Sequence, residues 1–197
     1  IYIHKYIKTH IIKTKIFDVR EKLPFEDNSI EACYSHMLYC MALTTSDLQK
    51  LNNLRVLITG GMGFIGSNLC RALIELGAKV TVLDASLPEQ GANKFNFKGI
   101  EDKIEFVQGD VRDEELIEKT VQGKNFIFDL AAQANYLKSS EEPLLDLDIN
   151  CKSKLILLEA CRKHNKEVKI VFTSSRMVYG KIESIPVTER HPTNPLS

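Results

Sequence analysis

From Leu54 onward, short runs of branched apolar residues alternate with longer stretches whose apolar positions recur every three or four residues, which predicts strands and helices in turn. Strands are expected at Leu54 to Thr59, Lys79 to Asp84, Ile104 to Gln108, Asn125 to Leu130 and Lys169 to Thr173. A helix is expected from Phe64 to Leu76. A second, more clearly periodic one runs from about Leu144 to His164, with Leu147, Cys151, Leu155 and Leu158 on one face that should pack on a sheet. Pro143 suits its first turn, the Asp146 and Asp148 carboxylates suit its positive end, and Arg162, Lys163 and His164 suit the other. The alternation implies an α/β fold, a doubly wound parallel sheet with helices on both faces and ligands at the carboxyl ends of the strands.

One junction stands out. The apolar run Arg55-Val56-Leu57-Ile58 leads into Thr59-Gly60-Gly61-Met62-Gly63-Phe64-Ile65-Gly66, and a helical pattern follows. A strand, a glycine turn and a helix in this order make a phosphate cradle. Glycines let the main chain approach a pyrophosphate, and the unpaired N–H groups of the helix start face the anion. Gly60, Gly63 and Gly66, with the backbone of Phe64 and Ile65, are therefore candidate cofactor-binding residues of a Rossmann fold. Asp84 ends the next strand roughly 20 residues on, where an acid bonds the ribose hydroxyls of a dinucleotide. Its charge repels a 2′-phosphate, so NAD is expected rather than NADP.

Other strand ends carry further candidates. Gly109-Asp110-Val111 is placed to meet an adenine edge through the carboxylate and the following N–H, or simply to turn the chain; Asp113 is the better N-cap for Glu114-Glu115-Leu116, which leaves Asp110 freer. In Phe128-Asp129-Leu130-Ala131-Ala132-Gln133 the small residues would let backbone come close to the nicotinamide half. Leu130, Ala131 and Ala132 are assigned to the cofactor and Gln133 to substrate. The polar segment Ala134 to Ser139 lines a pocket or is surface loop. Thr173-Ser174-Ser175-Arg176-Met177-Val178-Tyr179-Gly180 brings hydroxyls to the same edge without a GxSxG elbow, so Ser174, Ser175 and Arg176 suit substrate contact and proton transfer better than hydrolysis.

Composition narrows this picture without redirecting it. The 197 residues are 44% hydrophobic with a formal net charge of zero, enough for one sizeable core and no argument for nucleic acid or anionic membrane. No apolar run reaches membrane-spanning length and no secretory pattern opens the chain, so the expected location is cytoplasmic. Cys33, Cys40, Cys70, Cys151 and Cys161 are widely spaced, and the five histidines are scattered, so neither a disulfide framework nor a metal site is expected.

On these motifs the chain from about Leu54 to Ser197 resembles the N-terminal half of an extended short-chain dehydrogenase/reductase of the NAD-dependent nucleotide-sugar epimerase/dehydratase type. TGGMGFIG fits the family's TGxxGxxG loop, Asp84 its NAD-selecting acid, Asp110 and Val111 its adenine contacts, and Leu130-Ala131-Ala132 its fourth-strand motif; Asp129 replaces the usual histidine. The resemblance implies a nucleotide diphosphate sugar substrate, transient hydride transfer from a sugar carbon to NAD, a catalytic Ser175 four residues before Tyr179, and a possible homodimer. The family's YxxxK pair is not in the 197 residues, because no tyrosine is followed four positions later by lysine. The chain as given is thus expected to bind dinucleotide without turnover, the alternative being a non-catalytic NAD-binding module.

Residues 1 to 50 stand outside the alternation and are expected to be a separate N-terminal piece, with the NAD-binding domain at 54 to 197. Phe17-Asp18-Val19-Arg20, Leu23-Pro24-Phe25 and Ser29 to Ser35 resemble the middle of a class I S-adenosylmethionine-dependent methyltransferase, in which an acid like Asp18 lies near the cofactor's adenine. That family's glycine loop is absent upstream. The piece is read as a remnant of a fusion or truncation that binds no cofactor.

Overall fold

The computed structural model describes residues 52–188 and 190–196, together with the backbone of three short strands nearer the start of the chain. Those strands are β1 (Tyr2–Tyr6), β2 (Ile12–Ile16) and β3 (Cys33–Tyr34), joined antiparallel in the order β2-β1-β3. The methyltransferase-like reading rests on Asp18 and its neighbours, which lie outside the described residues. By compactness the chain divides into Leu43–Thr173 and a second unit made of Ile1–Ala42 with Ser174–Ser197.

The larger unit follows the expected alternation: β4 (Arg55–Thr59), α1 (Phe64–Glu75), β5 (Lys79–Asp84), β6 (Ile104–Gln108), α2 (Glu114–Thr120), β7 (Phe126–Asp129), α3 (Tyr136–Glu141), α4 (Pro143–Leu147), α5 (Ser153–His164) and β8 (Lys169–Phe172). The five later strands form one parallel sheet in the order β6-β5-β4-β7-β8. Val56, Leu57 and Ile58 of β4 are fully buried, as a central parallel strand covered on both faces requires. Leu57, Leu83 and Ile127 lie on one face under Ile117 and Val121 from α2 and its end, and Leu157, Ala160 and Cys161 from α5. Helix α1 packs on β4 and β5 through Gly66, Ser67, Cys70 and Leu73, and burial pushes the Cys70 thiol up to about 12. This is the doubly wound Rossmann arrangement. The chain crosses from the β5 side of β4 to the β7 side, and open α/β sheets in general hold ligands in the crevice at such a switch point.

The long helix expected from Leu144 to His164 is present, with a π-helical stretch inside it. Pro143 does begin a helical turn, and α4 passes into the π-helical stretch at Asp148–Lys152 before α5. The face assigned to the sheet is corrected: Leu144, Leu147, Leu155 and Leu158 are 53% or more exposed, and Cys151 is exposed too. The sheet is met instead by Ser153, Leu157, Ala160 and Cys161. These residues share a face at four- and three-residue spacing, and three of them are small, whereas Leu144, Leu147, Leu155 and Leu158 mark a face that water reaches.

Candidate functional site

The carboxyl ends of β4, β5 and β7 converge on the glycine turn. Gly60 has φ +67°, a left-handed conformation, and a Cβ there would lie 2.9 Å from the Cα and N of Ala131. A Cβ on Gly66 would sit 2.5 Å from the Gly60 carbonyl oxygen and 2.6 Å from Gly61 Cα, so α1 closes on the turn only with glycine at that point. Gly63 is different. With φ −70° and ψ 172° its backbone suits any residue, and a Cβ would meet only the Gly60 oxygen at 3.4 Å. Nothing among the described residues requires glycine there.

Gly63 is also the N-cap of α1. No side chain caps that end, no acid lies in its first turn, and the helical bond that closes the first turn runs from Ser67 N to Gly63 O at 3.0 Å. The preceding N–H groups, of Phe64, Ile65 and Gly66, are the orphan donors of a helix start, and with the helix dipole they suit an anion. Every expected cradle residue is therefore brought together.

Asp84 lies at the end of β5, 8% exposed, and its role is wider than the sequence suggested. Its Oδ2 accepts the Met62 N–H at 2.9 Å and its Oδ1 the Ser86 N–H at 2.8 Å. Asn96 Nδ2 donates to the Met62 carbonyl at 2.8 Å, so the Met62 residue is held through both its N–H and its carbonyl. Each carboxylate oxygen keeps a lone pair for a further donor, such as a ribose hydroxyl.

At the end of β6, Asp113 caps α2 by accepting the Leu116 N–H at 3.0 Å, as expected. Asp110 is less free than its position implied. Its carboxylate accepts from Arg112 N, Nε and Nη2 at 2.9, 2.9 and 2.6 Å, and the guanidinium holds its pKa below the ordinary value. Val111 packs partly against the core cluster.

Beyond β7 a buried polar network governs the backbone. Thr59 Oγ1 accepts the N–H groups of Leu130 and Ala131, each at 3.1 Å, and donates to Asp129 Oδ1 at 2.7 Å. Lys154 Nζ lies 3.1 Å from the same carboxylate oxygen and 2.5 Å from the Ala131 carbonyl oxygen. Gln133 was expected to bind substrate, yet it is 5% exposed and its amide is used inside the chain: Nε2 donates to Asn135 O and Ser139 Oγ, while Oε1 accepts the Asn135 N–H. Asn150, in the π-helical stretch, bonds the Gln133 N–H and carbonyl, each at 2.9 Å. Binding substrate through the Gln133 side chain would first break these bonds. The sequence reading missed Lys154 and Asn150 altogether, since nothing in their local pattern separates them from surface helix residues. Thr59 was visible, as the first residue of the glycine motif.

Ser174, Ser175 and Arg176 belong to the second unit. There Ser175 Oγ accepts the Met177 N–H at 3.2 Å and caps a 3-10 turn at Arg176–Tyr179, while His191 Nε2 accepts the Glu183 N–H at 3.0 Å. Just past β8 in the larger unit, Thr173 Oγ1 is buried without a hydrogen-bond partner. Among the described residues no cluster of three or more His, Cys, Asp or Glu could hold a metal, and no helix is long and apolar enough to cross a membrane.

Known proteins share this arrangement. Residues 57–197 match the family model described as GDP-mannose 4,6 dehydratase. A putative UDP-glucose 4-epimerase of Methanocaldococcus jannaschii is 42% identical over 144 residues, covering 72% of this chain and 45% of the relative. The UDP-N-acetylglucosamine 4-epimerase from Methanobrevibacter ruminantium, solved in complex with UDP-N-acetylmuramic acid, superposes with a TM-score of 0.65 at 32% identity, over 74% of this chain and 46% of that one. The UDP-glucose 4-epimerase of Thermus thermophilus, solved as a complex with NAD, gives a TM-score of 0.62 at 34% identity, over 72% and 45%. The chain spans about half the length of the curated relatives it matches.

Proposed function

The chain belongs to the GDP-mannose 4,6 dehydratase family of NAD-dependent nucleotide-sugar epimerases and dehydratases, and from that premise we propose that residues 54–197 are the NAD-binding part of such an enzyme. Gly63 carries the reading: it is spared of a side chain where the protein itself has room for one, at the uncapped start of a helix and beside a buried acid.

In this reading the N–H groups of Phe64, Ile65 and Gly66 hold the pyrophosphate, and Asp84 accepts the adenosine ribose hydroxyls while disfavouring a 2′-phosphate. The Asp110–Val111 corner borders the adenine, Asp110 remaining clamped by Arg112. The Leu130-Ala131-Ala132 backbone flanks the nicotinamide half. Bound NAD would supply the hydride acceptor for a sugar carbon. Ser175 hydrogen-bonds the reacting hydroxyl of a nucleotide diphosphate sugar, with Ser174 and Arg176 beside it on the substrate. Proton transfer is assigned to groups outside these 197 residues, so the chain alone binds cofactor and does not turn over. A cytoplasmic setting, a separate origin for residues 1–50 and a homodimer built on the exposed leucines of α4 and α5 belong to the same proposal.

Calorimetric titration tests it. NAD and ADP are expected to bind the folded chain and NADP at least about tenfold more weakly, a difference of about 1.4 kcal/mol. Heats indistinguishable from dilution for both NAD and ADP would sink the assignment.

A further inference from the structure

Lys154 and Asp129 form a buried ion pair whose place in the fold is more specific than stability needs. Their side chains are 15% and 3% exposed. Burying two charges seldom adds net stability over well-packed apolar groups, because desolvation offsets the attraction. What the pair does is geometric. Ala131 is held on one side by Thr59 Oγ1, which accepts its N–H, and on the other by the Lys154 ammonium, which donates to its carbonyl. The same backbone lies against Gly60, close enough that a single methyl there would collide with it. Asp129 fixes both partners at once, accepting from Thr59 Oγ1 and from Lys154 Nζ through one oxygen.

The two halves of a dinucleotide straddle the switch point of the sheet. Asp84 on β5 marks the adenosine half, so the other half falls over β7, whose end Lys154 holds. We infer that Lys154, set by Asp129, is a positioning residue for the nicotinamide half of the cofactor: it fixes the Ala131 backbone as the wall against which the nicotinamide ribose is laid. The inference rests on the NAD reading above and adds a residue that no motif in the sequence marks.

Lys154→Met removes the ammonium and keeps most of the stem. NAD affinity should fall about tenfold or more, the loss expected for a wall held by one charge-assisted hydrogen bond, while ADP, which lacks the nicotinamide half, should bind within about twofold of the unaltered chain. A thermal melt accompanies each titration. Should the single variant fail to fold because Asp129 is left unpaired, Asp129→Asn with Lys154→Met carries no lone buried charge, and the same ratio of NAD to ADP affinity is read from it. Equal losses for the two ligands, or no loss for either, overturn the positioning role with the cradle reading intact. An unaltered chain that binds neither ligand instead removes the cradle reading, and the inference with it.

Discussion

The two sides of the cleft are made of different materials. On the β5 side the glycine turn offers main chain, shaped by the absence of side chains at Gly60, Gly63 and Gly66 and stitched by one acid, Asp84. On the β7 side the backbone is held by side chains: Thr59, Asp129, Lys154, Gln133 and Asn150, drawn from β4, the β7 end and the helical segment that follows. At Gly60 and Gly66 this wall of main chain tolerates almost no added atoms. A wall held by buried charges and amides is sensitive to lost partners instead, and the two should fail in different ways.

The largest effect is expected on the β7 side. Asp129→Asn leaves the Lys154 ammonium without its counter-charge, and removing one member of a buried pair costs roughly 3–5 kcal/mol. The lower end applies because Lys154 keeps some contact with water. Urea denaturation measures it; a loss under about 1 kcal/mol would show that the pair is effectively solvated and the contrast between the walls false.

On the glycine side, Gly66→Ala forces a methyl to within 2.5 Å of the Gly60 oxygen, a backbone atom that cannot swing aside. The expected destabilisation is about 1–3 kcal/mol, as for overpacking, with the start of α1 displaced from the turn. Unchanged melting would mean that the turn yields more easily than its contacts imply. The sharper case is Gly63→Ser. The backbone there suits serine, which is a better N-cap than glycine, so stability should hold within about 0.5 kcal/mol or rise. NAD affinity should fall about tenfold or more, since the side chain occupies the approach to the helix N–H groups. Stability kept and binding lost is an outcome available only where a glycine serves a ligand.

That contrast also explains what could be read from the chain. Glycine spacing is visible in a sequence because the requirement falls on the residue itself, so Gly60, Gly63, Gly66 and Asp84 were legible along with the order of strands and helices. Strand ends were legible to within a residue: β7 ends at Asp129 rather than Leu130, and β8 at Phe172 rather than Thr173. Lys154 and Asn150 were not legible because their meaning lies in partners 25 and 17 positions away, which only folding supplies. Asp110 was legible only in part: its partner Arg112 was two residues off, but the bidentate geometry is a property of the turn and not of the spacing. The leucine stripe misled most, because periodicity shows that a face exists without saying whether a sheet or another surface covers it.

The smallest expected effect on the folded chain lies on the far side of the segment that builds the β7 wall. While Ser153, Leu157 and Ala160 turn to the sheet, Leu155 and Leu158 are 61% and 53% exposed. Replacing both with lysine alters only side chains that are more than half exposed, so the monomer's stability should change by no more than about 0.5 kcal/mol per site. Solubility should rise as the apolar face shrinks. In the homodimer proposed above, the same face is covered by a second copy, and two lysines per copy placed there would be desolvated against each other. Light scattering on the unaltered chain should then show a dimer and on the double variant a monomer, with ADP affinity unchanged because the glycine turn lies on other elements. A monomer in both would return the stripe to plain surface. A fall in NAD affinity at constant ADP affinity would instead show that the outward face of α5 reaches through Lys154 to the nicotinamide wall, and that the two sides of that helix do not act apart.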